Sequence, residues 1–281
     1  MNNVGKLYLV ATPIGNLDDI TLRALKILKD VDIIAAEDTR QTIKLLNHFE
    51  IKKSMVSYHE HNKKQKGMFL INQILEGKNV ALVSDAGSPG ISDPGEELVA
   101  QAIENGIEVT MAPGAVALIM GLVVSGLPTG RFVFEGFLPV NKRSRRERIQ
   151  ALKGEKRTIV LYEAPHKLMY TLKDVYEIFG ERKIVLAREL TKKFEEFIRT
   201  TISEAISKYE NQSPKGEFVI ILEGDNNKAE IIEQREKWAD TSIEAHMDTY
   251  MLQGMSKKEA MKKVADDRGV SKREIYSKLL G

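Results

Sequence analysis

Short runs of β-branched and other apolar residues recur along the chain and alternate with segments of helical periodicity. Eight such runs are predicted to be strands, at 6–11, 31–36, 79–84, 107–111, 132–136, 157–162, 183–187 and 217–222. Between most of them apolar residues return every three or four positions, as at Leu22, Leu25 and Leu28. Strands that alternate with helices are typical of parallel or mixed sheets covered by helices. The pattern therefore predicts an α/β fold.

A break in this alternation predicts two α/β domains. The segment Leu127-Pro128-Thr129-Gly130 interrupts the pattern, and proline and glycine are the residues that most often end regular elements. We place the first α/β domain at residues 1–126. The second is expected at 127–225, because the last predicted strand is followed by the polar segment Gly224-Asp225-Asn226-Asn227.

The tail at 226–281 has helical periodicity only. Ser256-Lys257-Lys258-Glu259 and Ser271-Lys272-Arg273-Glu274 both place a glutamate three positions after a serine, which is the spacing of a capping box at the start of a helix. Gly269 lies between them, where a left-handed residue would end the first helix. We expect the tail to form a helix-turn-helix.

The composition excludes several kinds of chemistry. At 281 residues, with 42% apolar and 29% charged residues, the chain is expected to be an ordinary soluble globular protein. The absence of cysteine excludes disulfides, thiol nucleophiles, zinc–thiolate sites and iron–sulfur clusters. The first residues lack the pattern of a signal peptide, and the longest apolar-rich stretch, 115–127, is too short to span a membrane. We therefore expect a cytoplasmic protein.

Positive charge is concentrated in two segments, although the formal net charge is only +2. Residues 141–157 contain eight Lys or Arg and two Glu, and residues 254–281 contain eight Lys or Arg and four acids. Each segment could be a solvated surface. Because one of them lies on the predicted helix-turn-helix, a polyanionic partner is the stronger interpretation.

The common nucleotide and hydrolase motifs are absent. The sequence contains no Gly-x-Gly, no Gly-Lys-Ser/Thr and no Gly-x-Ser-x-Gly, which excludes the Rossmann fingerprint, the P-loop and the esterase elbow. His59 and His61 flank Glu60, but no third ligand with matching spacing accompanies them. We expect no metal, and a substrate-facing or exposed pair is the preferred interpretation.

Three turns rich in small residues follow predicted strands, at 12–17, 84–95 and 112–115. Ligands of open α/β sheets bind at the carboxyl ends of strands, and small residues allow backbone amides to approach a ligand closely. A further turn, Tyr162-Glu163-Ala164-Pro165-His166-Lys167, follows a strand of the second domain. Each could be an ordinary connection, but together they predict a cofactor cleft between the two domains.

Eight motifs occur in the order found in one known family. They are Leu9-Val10-Ala11-Thr12-Pro13-Ile14-Gly15-Asn16-Leu17, Ala36-Glu37-Asp38-Thr39-Arg40, Tyr58-His59-Glu60-His61-Asn62, Val83-Ser84-Asp85-Ala86-Gly87, Ile91-Ser92-Asp93-Pro94-Gly95, Phe134-Glu135-Gly136-Phe137-Leu138-Pro139, Tyr162-Glu163-Ala164-Pro165-His166 and Arg188-Glu189-Leu190-Thr191-Lys192. The chain resembles the tetrapyrrole methylase superfamily of class III S-adenosylmethionine-dependent methyltransferases. Within it, the chain is most similar to the enzymes that methylate a cytidine 2′-hydroxyl in small-subunit ribosomal RNA.

The resemblance implies two α/β domains with S-adenosylmethionine folded into the cleft between them, in a homodimer. Carried over to this sequence, the cofactor-binding residues are Pro13, Ser84, Asp85, Ala86, Gly87, Ile91, Ser92, Ala115, Val116, Tyr162, Glu163, Ala164 and Glu217. The chain departs from the family pattern at Ala115, Val116, Gly130 and Lys167. Val116 removes one side-chain hydrogen bond to the methyl donor, for which backbone contacts are expected to compensate.

The resemblance also implies the reaction, which is methyl transfer from S-adenosylmethionine to the ribose of a decoding-centre cytidine in 16S rRNA of the small ribosomal subunit, leaving S-adenosylhomocysteine. A base that accepts the hydroxyl proton would accelerate this step. The candidates for catalysis, among which the sequence does not choose, are Asp38, Arg40, Glu163, His166, Lys192 and Glu195. The predicted RNA contacts are Lys142, Arg143, Arg145, Arg146, Arg148, Lys272 and Arg273.

Two other functions stay open at this point. One is a corrinoid or sirohaem precursor methyltransferase on the same fold, although the first turn of those enzymes resembles Val-Gly-x-Gly-Pro-Gly-Asp and this chain has Ala11-Thr12-Pro13-Ile14-Gly15-Asn16. The other is a non-enzymatic regulator, in which the helix-turn-helix binds duplex DNA and the large domains sense a small molecule.

Overall fold

The computed structural model describes residues 4–226, 238 and 241–280. The chain divides into two compact units, Met1–Gly224 and Asp225–Gly281. The first unit contains both predicted α/β domains, and each of them is built on its own sheet. The second unit contains the predicted helical tail.

The first sheet is entirely parallel, with strand order β3-β2-β4-β1-β5. Its strands are β1 (Lys6–Val10), β2 (Ile33–Ala36), β3 (Ser54–Ser57), β4 (Val80–Val83) and β5 (Glu108–Ala112). Every residue of β2 and β4 is buried, as expected where helices cover both faces of a parallel sheet. The helices that connect these strands are α1 (Leu22–Asp30), α2 (Thr39–His48), α3 (Lys63–Leu75) and α4 (Gly95–Glu104), and a short 3₁₀ helix spans Leu17–Asp19.

The second sheet is mixed, with strand order β6-β7-β10-β8-β9. Its strands are β6 (Phe132–Phe137), β7 (Thr158–Glu163), β8 (Lys183–Arg188), β9 (Glu196–Thr201) and β10 (Phe218–Leu222), and its helices are α5 (Ala117–Ser125), α6 (Lys142–Ala151), α7 (Pro165–Phe179) and α8 (Ile202–Glu210). Strands β6 and β7 are parallel, whereas β10 is antiparallel to both of its neighbours. All eight predicted strands are confirmed, within two residues at either end.

Helix α5 packs on the second sheet, although the sequence boundary at residue 126 assigned it to the first domain. Leu118 and Leu122 belong to the same apolar cluster as Val160 and Val219. The change from one sheet to the other therefore occurs between β5 and α5. Helix α5 ends at Ser125 with Gly126 as its left-handed cap, so Pro128 and Gly130 lie in the connection to β6 and not at the boundary between the two sheets.

The described part of the second unit contains α9 (Ile243–Leu252), α10 (Lys257–Arg268) and α11 (Lys272–Leu280). The capping box of Ser256 and Glu259 is confirmed, and Gly269 ends α10 with a left-handed φ of 64°. Apolar side chains of the three helices pack into a small core around Met247 and Val264. Within the described part of the chain, no helix combines the length and the apolar character that crossing a membrane requires.

Candidate active site

Two turns at the carboxyl edge of the first sheet are joined by backbone hydrogen bonds. The amide of Thr12 donates to the carbonyl of Gly87 at 2.9 Å, and the amide of Gly87 donates back at 3.1 Å. The Thr12 hydroxyl donates to the carbonyl of Ser84 at 3.2 Å. Gly87 has a φ of +81°, and a β-carbon there would lie 3.2 Å from Cγ2 of Ile14. The turn therefore requires glycine for both conformation and space.

The next segment of the site is shaped by a half-buried carboxylate. Asp93 accepts hydrogen bonds from the amides of Gly90 at 2.8 Å and Gly95 at 2.7 Å. Burial raises the pKa of Asp93, and these amides oppose the shift. Ser92 is held in the left-handed region with a φ of 61°. A non-glycine residue there costs ~1–2 kcal/mol, and such strain is concentrated at functional sites.

The second sheet contributes an aromatic wall. The Tyr162 hydroxyl accepts a hydrogen bond from the amide of Leu118 at 3.2 Å, which connects β7 to the start of α5. Its ring centroid lies 4.9 Å from that of Phe134 and 5.5 Å from that of Phe137. Burial raises the pKa of Tyr162. The ring is therefore a fixed, neutral surface.

Glu163, the next residue, is 2% exposed. Its Oε1 accepts a hydrogen bond from the amide of Ala164 at 2.9 Å, and its Oε2 accepts one from the hydroxyl of Thr171 at 2.6 Å. Both oxygens are thus engaged in holding the start of α7 against β7.

The two sheets approach each other closely where Gly15 faces Lys192. A β-carbon on Gly15 would lie 2.3 Å from Cγ of Lys192. The Lys192 ammonium donates to Glu189 at 3.0 Å and to Glu217 at 2.9 Å. Burial alone would lower the pKa of Lys192, but the hydrogen bonds that its ammonium donates to these two carboxylates raise it. Lys192 is therefore a fixed cation at the edge of the site.

These elements enclose one cleft of about 350 Å³ between the two sheets, a size usual for small-molecule sites. Of the predicted cofactor residues, those that line it are Ser84, Asp85, Ala86, Gly87, Ile91, Ser92, Val116, Tyr162, Glu163, Ala164 and Glu217. Pro13 and Ala115 are not among the lining residues, whereas the adjacent residues Ile14 and Val116 are. Val116 makes no side-chain cap to α5.

The cleft also contains residues that sequence reasoning did not select for the cofactor. They are Ile14, Glu37, Ser88, Asp93, Ala117, Phe137, Ala187, Leu190, Lys192, Phe218 and Val219. Most of them are adjacent to a predicted cofactor residue or lie within one of the eight family motifs. Their place in the sequence could therefore have identified them as lining residues. Ala187 and Val219 lie inside strands, where only the tertiary arrangement shows which face reaches the cleft.

The chemistry of the lining fits S-adenosylmethionine. The Ser88 hydroxyl is buried and has no hydrogen-bond partner among the described residues, and an unpaired buried hydroxyl costs ~1–3 kcal/mol. A ligand that carries ribose hydroxyls and an amino group would supply such a partner. The carboxylates of Asp85 and Asp93 suit the positive charges of an ammonium and a sulfonium.

The acidic candidates at the end of β2 have unlike surroundings. Asp38 is paired with Arg40 through two side-chain contacts of 3.0 and 2.8 Å. Hydrogen bonds from Arg40 lower the pKa of Asp38 to about 2, and neither residue is among those that line the cleft. Glu37 does line it, and its pKa is raised by burial and by the negative charges of Asp85 and Asp93.

The remaining catalytic candidates divide by position. Glu163 and Lys192 line the cleft, whereas His166 and Glu195 are not among its lining residues. His166 is exposed at the start of α7. Glu195 is exposed as well, and its Oε1 accepts a hydrogen bond from the backbone N–H of Thr191 at 2.8 Å.

Arg145 and Arg146 on α6 are engaged within the fold. Arg145 is 7% exposed and donates through Nε to Asp174 at 2.8 Å. Arg146 donates to both oxygens of Glu177, at 2.6 and 2.7 Å, and to Asp174 at 3.0 Å. We therefore withdraw Arg145 as an RNA contact, because its guanidinium is buried and already paired.

The other basic candidates are exposed. Arg143 pairs with Glu147 at 2.9 Å and Arg148 with Glu135, and both arginine side chains are more than half exposed. Lys142 is exposed at the start of α6, and Lys272 and Arg273 are exposed at the start of α11. These residues remain predicted phosphate contacts.

Two solved structures of uroporphyrin-III C-methyltransferase from Thermus thermophilus share this fold. Their TM-scores are 0.56 and 0.54, at 20% and 18% identity, and they cover 78% and 79% of this chain and 94% and 98% of their own. The second is described as complexed with S-adenyl homocysteine.

Sequence comparison identifies the family. The model of the Tetrapyrrole (Corrin/Porphyrin) Methylases matches residues 6–206. Ribosomal RNA small subunit methyltransferase I of Halalkalibacterium halodurans is 52% identical over 273 residues, covering 97% of this chain and 94% of that protein. The protein of the same name from Bacillus subtilis is 49% identical over 275 residues, covering 98% and 94%. The chain therefore belongs to the tetrapyrrole (corrin/porphyrin) methylase family, as its resemblance predicted.

Proposed function

We propose that this chain transfers a methyl group from S-adenosylmethionine to the ribose 2′-hydroxyl of a cytidine in the decoding centre of small-subunit (16S) ribosomal RNA. The observation that carries the proposal is 52% identity over 97% of the chain to a protein named Ribosomal RNA small subunit methyltransferase I. The position of the cytidine and the choice of the 2′-oxygen are what the resemblance of the sequence motifs to that group of enzymes implies.

The cleft supports the methyl-donor part of this proposal. S-adenosylmethionine supplies an activated methyl group and a neutral sulfur leaving group when it is bound. The turns after β1 and β4, joined through Thr12 and Gly87, hold it from the first sheet, and Tyr162 and Ala164 hold it from the second. Alignment of the acceptor oxygen with the methyl carbon accounts for about 7–11 kcal/mol of the barrier.

The exposed basic residues support an RNA substrate. Folded RNA is recognised mostly by shape, phosphates and 2′-hydroxyls, and Lys142, Arg143 and Arg148 present positive charge on one helix. Lys272 and Arg273 do the same on α11. We place the reaction in the cytoplasm, with the small ribosomal subunit as substrate.

We further propose that the active form is a homodimer. Helix α5 exposes apolar side chains that the described chain leaves uncovered: Ile119 is 42% exposed, Val123 66% and Val124 40%. An exposed apolar cluster of this kind marks a protein-interaction surface. Sedimentation analysis of the purified protein tests it, and a monomer at micromolar concentration would contradict it.

Methyl transfer is tested with labelled S-adenosylmethionine, unmethylated small ribosomal subunits and bare 16S rRNA. A 2′-O-methyl group removes the nucleophile for alkaline cleavage, so the modified nucleotide appears as a gap in a hydrolysis ladder. We expect one gap, at a decoding-centre cytidine, and activity that falls steeply with salt. Incorporation into tetrapyrrole precursors and not into RNA would favour the alternative methyltransferase. Binding to duplex DNA without turnover would favour the sensor.

A further inference from the structure

Glu37 is the residue at the end of β2 whose side chain reaches the cleft. It directly follows Ala36, the last residue of β2, and it shares the cleft lining with Asp85 and Asp93. The sequence analysis selected the adjacent Asp38, but the carboxylate of Asp38 accepts two hydrogen bonds from the Arg40 side chain.

One hydrogen bond connects the ends of the strands on either side of Glu37. The backbone N–H of Asp38, the next residue, donates to Oδ1 of Asp85 at 2.9 Å. The ends of β2 and β4 are thereby joined, and the backbone N–H of Asp85 faces the Glu37 carboxylate and opposes the rise of its pKa. The Glu37 carboxylate lies at the wall of the cleft without an ion pair among the described residues.

The other carboxylates of the described lining are already engaged. Glu163 accepts hydrogen bonds at both oxygens, and Asp93 accepts two backbone amides. Asp85 accepts the amide of Asp38, and Glu217 pairs with Lys192. Glu37 makes no side-chain hydrogen bond or ion pair among the described residues, so its carboxylate is available to accept a proton from a ligand in the cleft.

The charged groups around Glu37 favour its protonated form. Asp85 faces it from the turn after β4, Asp93 from the segment before α4, and Asp38 from the following position. The cation of the cleft, Lys192, is held by two glutamates of the second sheet. Burial and these like charges raise the pKa of Glu37, which makes its carboxylate a stronger base than an exposed glutamate.

We propose that Glu37 accepts the proton of the acceptor ribose hydroxyl during methyl transfer. The hydroxyl oxygen forms a bond to the methyl carbon while its O–H bond breaks and the proton passes to a Glu37 oxygen. The electron pair of the carbon–sulfur bond returns to sulfur, so the products are the 2′-O-methyl ether, neutral S-adenosylhomocysteine and protonated Glu37. This inference rests on the proposed function and assigns a role within it.

The test compares Glu37→Gln with wild type in single-turnover assays on small-subunit RNA with saturating donor. Glutamine keeps the size of the side chain and an oxygen for the Asp85 amide, but it cannot accept the proton. We expect the rate to fall ~10²–10⁴-fold, while calorimetry gives a donor Kd within threefold of wild type. Glu104→Gln, an exposed substitution on α4, is the matched control and should behave as wild type.

The pH profile separates proton transfer from a positioning role. The wild-type rate should rise with pH with unit slope until Glu37 is ionised, and Glu37→Asp should keep this rise at a reduced rate. Glu37→Gln should lack it. A slow Glu37→Gln that keeps the rise would mean that Glu37 only positions Asp85, and equal losses of rate and donor affinity would make it a cofactor ligand. Both results overturn the assignment.

A second readout does not depend on RNA. Carboxyl ¹³C resonances of glutamate-labelled protein are titrated, and the signal lost in Glu37→Gln identifies Glu37. We expect its midpoint above the ordinary value of 4.5, and an ordinary midpoint overturns the inference. A wild-type protein that methylates no small-subunit RNA would contradict the proposed function, whereas an active wild type with an equally active Glu37→Gln would contradict only the role of Glu37.

Discussion

The backbone amide of Asp38 donates a hydrogen bond to the carboxylate of Asp85 at 2.9 Å. The two residues are far apart in sequence, but they follow the neighbouring parallel strands β2 and β4. A side chain of the cleft is therefore oriented by the backbone of the adjacent strand end. The position of Asp85 depends on the pairing of the sheet as well as on its own turn.

Replacing Asp85 by alanine is expected to weaken binding of S-adenosylmethionine before it affects anything else. The substitution removes a carboxylate from the cleft and leaves the Asp38 amide without its acceptor. Hydrogen bonds to charged groups contribute ~1.5–3 kcal/mol, so the Kd should rise about tenfold or more. Calorimetry measures it, with Asp30→Ala on the exposed end of α1 as the control. Wild-type donor affinity in Asp85→Ala would contradict the cleft assignment.

Arg145→Ala is expected to destabilise the fold and not to act on RNA alone. The side chains of Arg145 and Asp174 are 9% and 6% exposed, and breaking a buried pair costs ~3–5 kcal/mol. Because Arg146 still contacts Asp174, we expect the lower end of this range. Urea unfolding followed by circular dichroism measures the change. Arg143→Ala, which breaks an exposed pair, should cost less than about 1 kcal/mol, and equal losses in the two variants would disprove the structural role of Arg145.

Reversing two exposed charges on α6 should weaken RNA binding without changing donor affinity. Lys142→Glu combined with Arg143→Glu removes two proposed phosphate contacts from the exposed start of the helix. The slope of log K against log salt should decrease by about 0.7–0.9 for each lost contact. Filter binding at several salt concentrations measures it. Lys26→Glu with Lys29→Glu on α1 changes the net charge equally and should leave the slope unaltered; an equal effect would indicate a general charge effect.

The helical tail should become less stable as the pH falls below about 6.5. His246 is 0% exposed and stacks on Trp238 with ring centroids 3.6 Å apart. Burial and the charge of Arg268 lower the pKa of His246 from 6.5, and Asp267 only partly opposes them. The unfolded tail therefore binds a proton more readily, so the stability that is present above pH 6.5 is lost on acidification. Trp238, the single tryptophan, reports this unfolding by fluorescence.

The control for this prediction is His246→Phe, which keeps a ring against Trp238 but cannot titrate. Its unfolding midpoint should be insensitive to pH between about 5 and 7, the range in which an unperturbed histidine changes charge. His48→Phe, exposed on α2, should keep the wild-type pH dependence. A flat profile in the wild-type protein would contradict the role of His246.

The strands that sequence reasoning found are those with continuous apolar runs, and the two that it missed lie at sheet edges. β3 and β9 are the outer strands next to β2 and β8. Every residue of β9 is partly or fully exposed, and four of its six residues are polar. Strand β3 includes two serines. An edge strand is paired on one side only and needs fewer apolar residues, so its sequence resembles that of a loop.

The cleft could be predicted where residues act through the local turn, as Gly87 does. It could not be predicted where the outcome depends on which of two adjacent acidic side chains forms an ion pair. Asp38 pairs with Arg40, two positions along the chain, whereas Glu37 lines the cleft. The same limit applies to Arg145, because its partner Asp174 lies on another helix and no local pattern reveals the pair.

Strand β10 is the middle strand of the second sheet and the last strand of its unit in chain order. During synthesis, the parallel pair β6 and β7 and the antiparallel pair β8 and β9 can form early, but the two pairs stay separate until β10 enters between β7 and β8. Phe218 and Val219, which line the cleft, arrive with it. A nascent chain therefore cannot complete this cleft until residue 222 has left the ribosome, when nearly all of the first unit has been translated.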